Sequence, residues 1–126
     1  RGTTSQEIVA LARESGAKKV YFASAAPAVK YPNVYGIDMP TRTALIANNK
    51  DADAVGRAIT ADKVIYQDLS ALEAAVCSVS NGVLTEFDAS CFNGEYITGD
   101  IDMAYLDKLE QNRVKPVEAN ANGSKK

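Results

Sequence analysis

The chain has 126 residues, 46% of them hydrophobic and 24% charged, the size and balance of one soluble globular domain. Its net charge is −2 with Lys and Arg dispersed among the acids, which excludes the footprint of a nucleic-acid binder, and no apolar run nears the roughly 18 residues that span a bilayer. Histidine is absent, which removes Ser-His and Cys-His nucleophile pairs and every His-based metal site; chemistry must come from carboxylates, backbone amides, hydroxyls, Arg or Lys, or from residues outside this chain.

The opening stretch reads as a helix start. Thr4 and Glu7 have the spacing of a capping box, Ile8, Leu11, Ala12 and Ser15 continue on one face, and Gly16 ends the run. Lys19 to Ala23 is short, β-branched and aromatic, and predicts a buried strand. Helix then strand is half of a βαβ unit, so a strand is expected to precede Arg1.

Residues 25–40 carry three prolines and Gly36 and read as an ordered, irregular connection. Thr41 opens a short helix through about Ala47, and Asp51 caps another in which Val55 and Ile59 lie one turn apart. Val64 to Tyr66 predicts a second strand. Ser70 and Glu73 then repeat the capping-box spacing before a helix through about Cys77. Val83 to Thr98 reads as strand broken by a turn at Asn93-Gly94. A last helix is expected from about Asp102 to Asn112, with Met103, Leu106 and Leu109 inward, and residues 113–126 as a flexible tail.

The stretch Arg1-Gly2-Thr3-Thr4 carries the most chemistry. Free backbone N–H groups and the positive end of the helix dipole make a helix N-terminus an anion site, Gly2 lets a phosphate approach the backbone, and the threonine hydroxyls add donors. Spacing alone also fits a plain N-cap. Lys30, Tyr35, Asp38 and Arg42 lie in the irregular segment and read first as structural loop residues, second as nucleotide contacts. Asp100 and Asp102 read as caps for the final helix. Cys77 and Cys91, fourteen positions apart, have no C-x-x-C pairing and read as structural thiols in a reduced, cytoplasmic setting.

Arg-Gly-Thr-Thr-Ser at 1–5, the run from Ala17 to Pro27, the run from Tyr31 to Pro40, Val64 to Leu69 and Cys91 to Thr98 together resemble the amidophosphoribosyltransferases, over most of residues 1–110. The resemblance implies an α/β fold: part of a type I phosphoribosyltransferase parallel sheet with flanking helices, followed by C-terminal helices. Residues 1–112 would be the C-terminal portion of that domain, with the upstream strand and the glutaminase domain absent. In the family the loop reads Asp-Asp-Ser-Ile-Val-Arg-Gly-Thr-Thr, and its last four residues correspond to Arg1, Gly2, Thr3 and Thr4. These are implied to cradle the 5′-phosphate of phosphoribosylpyrophosphate or of a purine nucleotide inhibitor, GMP or AMP.

By the same resemblance the parent reaction forms 5-phosphoribosylamine from phosphoribosylpyrophosphate and glutamine, the first step of de novo purine nucleotide synthesis, in a cytoplasmic homo-oligomer without nucleic-acid or membrane partners. The Mg²⁺ ligands of that enzyme are expected upstream of this chain, which is expected to supply no catalytic or metal-binding residue and to be inactive alone. Some relatives bind an iron-sulfur cluster partly through a Cys-x-x-Cys pair; here Asp88 stands at the first position, before Cys91, so no cluster is expected. The alternatives are a non-catalytic purine-nucleotide-binding or regulatory module, and a purely structural piece of a larger oligomer.

Overall fold

The computed structural model describes residues 2–114. The chain forms helix α1 (Thr3–Glu14), strand β1 (Tyr21–Ala23), a 3-10 turn (Arg42–Ala44), helix α2 (Ala52–Ile59), strand β2 (Lys63–Ile65) and helices α3 (Leu69–Val79), α4 (Ser90–Asn93) and α5 (Met103–Val114). β1 and β2 pair in parallel, with Phe22 opposite Val64. Parallel strands with flanking helices are the α/β arrangement expected from the sequence.

One apolar cluster holds the N-terminal half together. Val9 of α1, Val55 and Ile59 of α2, Ala47 and Val64 of β2 are all buried, with Val20, Phe22 and Tyr66 packed against them. Each fully buried aliphatic side chain stabilises the fold by about 1.5–3 kcal/mol. Both helices therefore contribute to the sheet face that carries Phe22 and Val64. The other face is open: Tyr21 is 60% exposed and Ile65 48%. The expectation of a buried first strand fails for this reason, since a strand covered on one face alone buries alternate residues.

The Asp62 carboxylate ties the turns at one end of the sheet. It accepts hydrogen bonds from the Val20 N–H and from the Arg13 guanidinium, both at 2.8 Å, while Arg13 also donates to the Thr60 carbonyl. The Val20 bond is the larger influence, and together with Arg13 it holds the Asp62 carboxyl below the usual carboxylate range.

Several sequence expectations need correction. In α1 the N-cap is Gly2, with no side-chain cap, and Thr4 lies inside the helix. The left-handed backbone of Gly2 admits the chain to the helix two residues earlier than a threonine cap would. Rotated accordingly, α1 buries Val9 and leaves Ile8 and Leu11 more than half exposed. In α3 the cap is Asp68, whose carboxylate accepts from the Ala71 N–H and from the Ser70 hydroxyl, so Ser70 serves the cap and is not it. Asp51 caps α2 as read, accepting from the Ala54 N–H at 2.7 Å.

The helix expected over 41–47 is only the 3-10 turn, because Leu45 adopts extended backbone that carries its side chain into the interior. No strand forms across 83–98. Residues 90–93 turn into the short helix α4 instead, the Cys91 carbonyl accepts from the Lys30 and Tyr31 N–H groups of the irregular segment, and the buried Tyr96 phenol donates to the Pro32 carbonyl. In α5, Leu106 is buried and Leu109 half-buried, but Met103 is 52% exposed. The helix reaches Val114; the remainder of the tail assigned to 113–126 lies outside the described residues.

Candidate phosphate site at the first helix

The entrance to α1 is built by a glycine that no other residue replaces without strain. Gly2 has φ 85°, and a Cβ there would lie 2.2 Å from Cδ1 of Ile46. An uncapped start leaves the first-turn N–H groups without side-chain acceptors; the Gln6 N–H, donating to the Gly2 carbonyl at 2.9 Å, begins the helical ladder among the described residues. The Thr3 and Thr4 side chains are exposed, and neither hydroxyl has a hydrogen-bond partner among the described residues.

A cavity of about 260 Å³ opens at this end of the helix, lined by Gly2, Thr3, Gln6, Thr43, Ile46 and Lys50 among others. Partial positive charge from the helix N-terminus and the Lys50 ammonium favour an anion there. A larger cavity, about 540 Å³, lies between α3 and residues 85–87, but Glu73 and Glu86 line it and no cation does. Carboxylates repel phosphate, so the smaller cavity is the better anion site.

Of the four residues singled out in the sequence, Gly2 and Thr3 line this cavity. Thr4 follows on the first turn without lining it, and Arg1 lies outside the described residues. Gln6 joins them from the same helix, one turn after Thr3, while Thr43, Ile46 and Lys50 carry no motif of their own and join the site only through tertiary folding.

No family model matches the chain. Among curated proteins it is 54% identical over 113 residues to the amidophosphoribosyltransferase of Pasteurella multocida, covering 90% of this chain and 22% of that protein. The corresponding enzyme of Haemophilus influenzae is 55% identical over the same shares, and that of Escherichia coli 53% identical over 110 residues. The chain is homologous to a segment of the amidophosphoribosyltransferases. It spans about a fifth of the length of the curated relatives it matches, and the resemblance read from its motifs is borne out.

The remaining candidates of the chain have structural partners. Arg42 pairs with Asp107 and Glu110 of α5, Asp38 with Arg113 at 3.5 Å, and the Tyr35 phenol lies 3.1 Å from the Thr98 hydroxyl. Asp102 caps α5 by accepting from the Tyr105 N–H. Lys30 is exposed on the irregular segment. Cys77 and Cys91 are free and half-buried; burial first, then the nearby Asp88, pushes the Cys91 thiol above its ordinary value, opposite to the shift that makes a reactive thiolate. Among the described residues no three His, Cys, Asp or Glu side chains gather as a metal site, and no helix is long and apolar enough to cross a membrane.

Proposed function

We propose that this chain supplies the 5′-phosphate-binding loop, and the scaffold beneath it, of an enzyme that forms 5-phosphoribosylamine from phosphoribosylpyrophosphate and glutamine. The observation that carries the proposal is the uncapped N-terminus of α1, entered through Gly2 and facing a cavity with Thr3 and Lys50 in its wall. The Thr3 hydroxyl and the first-turn N–H groups, that of Thr4 among them, donate to phosphate oxygens; Gly2 supplies the left-handed entrance that aims these N–H groups at the cavity.

In this reading the chain positions substrate and does not transfer protons. Holding the phosphate fixes the ribose so that its anomeric carbon meets ammonia in a repeatable geometry. The parent enzyme is cytoplasmic, homo-oligomeric and inhibited by GMP or AMP bound through the same phosphate contacts. Mg²⁺, when bound, neutralises charge on the departing pyrophosphate. The described residues offer no carboxylate cluster to hold that ion.

Calorimetric titration of the 126-residue chain with ribose 5-phosphate, with ribose as control, tests the proposal. Ribose 5-phosphate binds and ribose does not; Thr3→Val weakens binding about tenfold, the equivalent of a lost charge-assisted hydrogen bond of about 1.5 kcal/mol. Equal affinities for the two sugars would sink the reading.

A further inference from the structure

The wall of the phosphate cavity opposite α1 is a short segment with little of its own to hold it. Thr43 and Ile46 line the cavity, and Ile46 is the residue that meets Gly2. The 3-10 turn Arg42–Ala44 has no side-chain cap. A three-residue 3-10 turn satisfies few of its own backbone groups, so its position depends on partners from elsewhere.

Those partners come from α5, some 65 residues later in the chain. The Glu110 carboxylate accepts from the Thr43 N–H at 3.2 Å and lies 3.8 Å from the Arg42 guanidinium. Arg42 also donates to Asp107 and, at 3.6 Å, to the Met103 sulfur. Residues 103, 107 and 110 follow one another at helical spacings of four and three, so a single stripe of α5 makes all of these contacts. The Arg42 and Glu110 side chains are only 14% and 16% exposed, which sets this pair apart from a solvated surface ion pair.

We infer that Arg42 and Glu110 are positioning residues for the phosphate site: they clamp the 42–46 wall to α5 and thereby set how Ile46 meets Gly2. This rests on the proposed phosphate site. Neither residue touches the phosphate. In Glu110→Gln the Thr43 N–H keeps only a neutral amide oxygen in place of a carboxylate, and Arg42 keeps one carboxylate partner, Asp107; the wall relaxes, and the change reaches the first turn of α1 through the Ile46–Gly2 contact. Arg113 offers an internal control, since it fastens the same helix to the Met39 carbonyl and to Asp38, neither of which lines the cavity.

The test is heteronuclear NMR of the ¹⁵N-labelled 126-residue chain, free and titrated with ribose 5-phosphate. In Glu110→Gln the free-state amide signals of Gly2, Thr3 and Ile46 shift, and affinity falls about fivefold or more, the lower range of coupling between distant groups. Arg42→Lys keeps the charge but loses the fork and shows a smaller change in the same signals. Arg113→Gln leaves affinity within about twofold. If the unmodified chain binds ribose 5-phosphate but Glu110→Gln binds it equally well with unmoved Gly2 and Ile46 signals, the inference is overturned and the phosphate site stands. If the unmodified chain binds no ribose 5-phosphate, both fall. Should Glu110→Gln not fold, Arg42→Lys decides: unmoved Gly2 and Ile46 signals overturn the inference.

Discussion

Gly2 and Ile46, from opposite walls of one cavity, meet so closely that a Cβ on the first would lie 2.2 Å from Cδ1 of the second and 3.2 Å from its Cγ1. The Cδ1 atom is the far end of a side chain and can swing aside. The φ of 85° cannot be relieved in the same way, because it is what turns the chain into α1.

Gly2→Ala is therefore expected to act mainly through the backbone. It should lower stability by about 1–2 kcal/mol, the usual cost of a left-handed conformation for a residue with a Cβ, and weaken ribose 5-phosphate binding about tenfold or more by reorienting the first-turn N–H groups. Urea denaturation and calorimetry on the same preparation check both. An unchanged urea midpoint would show that the entrance to α1 re-forms around alanine.

What could be read from the sequence divides along the same lines as this site. Asp51 is legible as the cap of α2, and of the pair Asp100 and Asp102 it is Asp102 that caps α5; Thr4 and Ser70 mislead because a better entrance, Gly2 or Asp68, lies two residues before each. Val55 and Ile59 are legible as one face by their spacing of one turn, and Val64 as part of a short apolar strand; all three are buried. The segment 83–98 is not legible in this way: its Cys91 carbonyl and Tyr96 phenol bond to residues 30–32 while Val83, Leu84 and Ile97 stay exposed, and only tertiary structure decides whether such a run pairs or wraps. Thr43 and Lys50 were invisible as cavity residues, since nothing local marks them.

Tyr96 predicts an alkaline limit to stability. Its phenol donates a 2.7 Å bond to the Pro32 carbonyl; burial first, with lesser contributions from Cys91, Tyr35, Asp88 and Tyr31, raises its pKa from 10.0 to about 12. The folded state holds this proton more tightly than the unfolded one, so the contribution is complete below pH 10.0 and is lost as pH rises toward about 12. Tyr96→Phe should be less stable near neutrality by about 1–2 kcal/mol, because the Pro32 carbonyl loses its donor, and its disadvantage should shrink as pH rises. Urea midpoints across the alkaline range measure the difference; a constant gap would contradict the shift.

Asp62 predicts the complementary acid limit. Its carboxyl is held below the ordinary 3.8 by the Val20 N–H first and by Arg13, so its contribution is present above that value and is lost as pH falls through the depressed one. In Asp62→Asn, a plot of urea midpoint against pH should fall less steeply below about pH 4 than in the unmodified chain. Parallel curves would mean that other carboxylates account for acid unfolding. Asp68 is shifted in the same direction by the Ser70 hydroxyl and the Ala71 N–H, so some acid sensitivity persists in the variant.

Thr60 is the position where a single change should improve the fold. It ends α2 in a left-handed conformation, φ 63°, ψ 21°, with its N–H donating to the Arg57 carbonyl and the Ala61 N–H donating to the Gly56 carbonyl. A β-branched residue is poorly suited to that region, at a cost of about 1–2 kcal/mol, whereas glycine enters it without strain and gives back about 0.5–1 kcal/mol through its greater freedom in the unfolded chain. The contact Thr60 makes with α1 uses its carbonyl, which accepts from Arg13, so the side chain can be removed without breaking it. Thr60→Gly should therefore raise stability by about 0.5–1 kcal/mol with no effect on ribose 5-phosphate affinity, since the residue does not line the cavity. A lowered urea midpoint would mean that the threonine side chain contributes packing that outweighs its backbone strain.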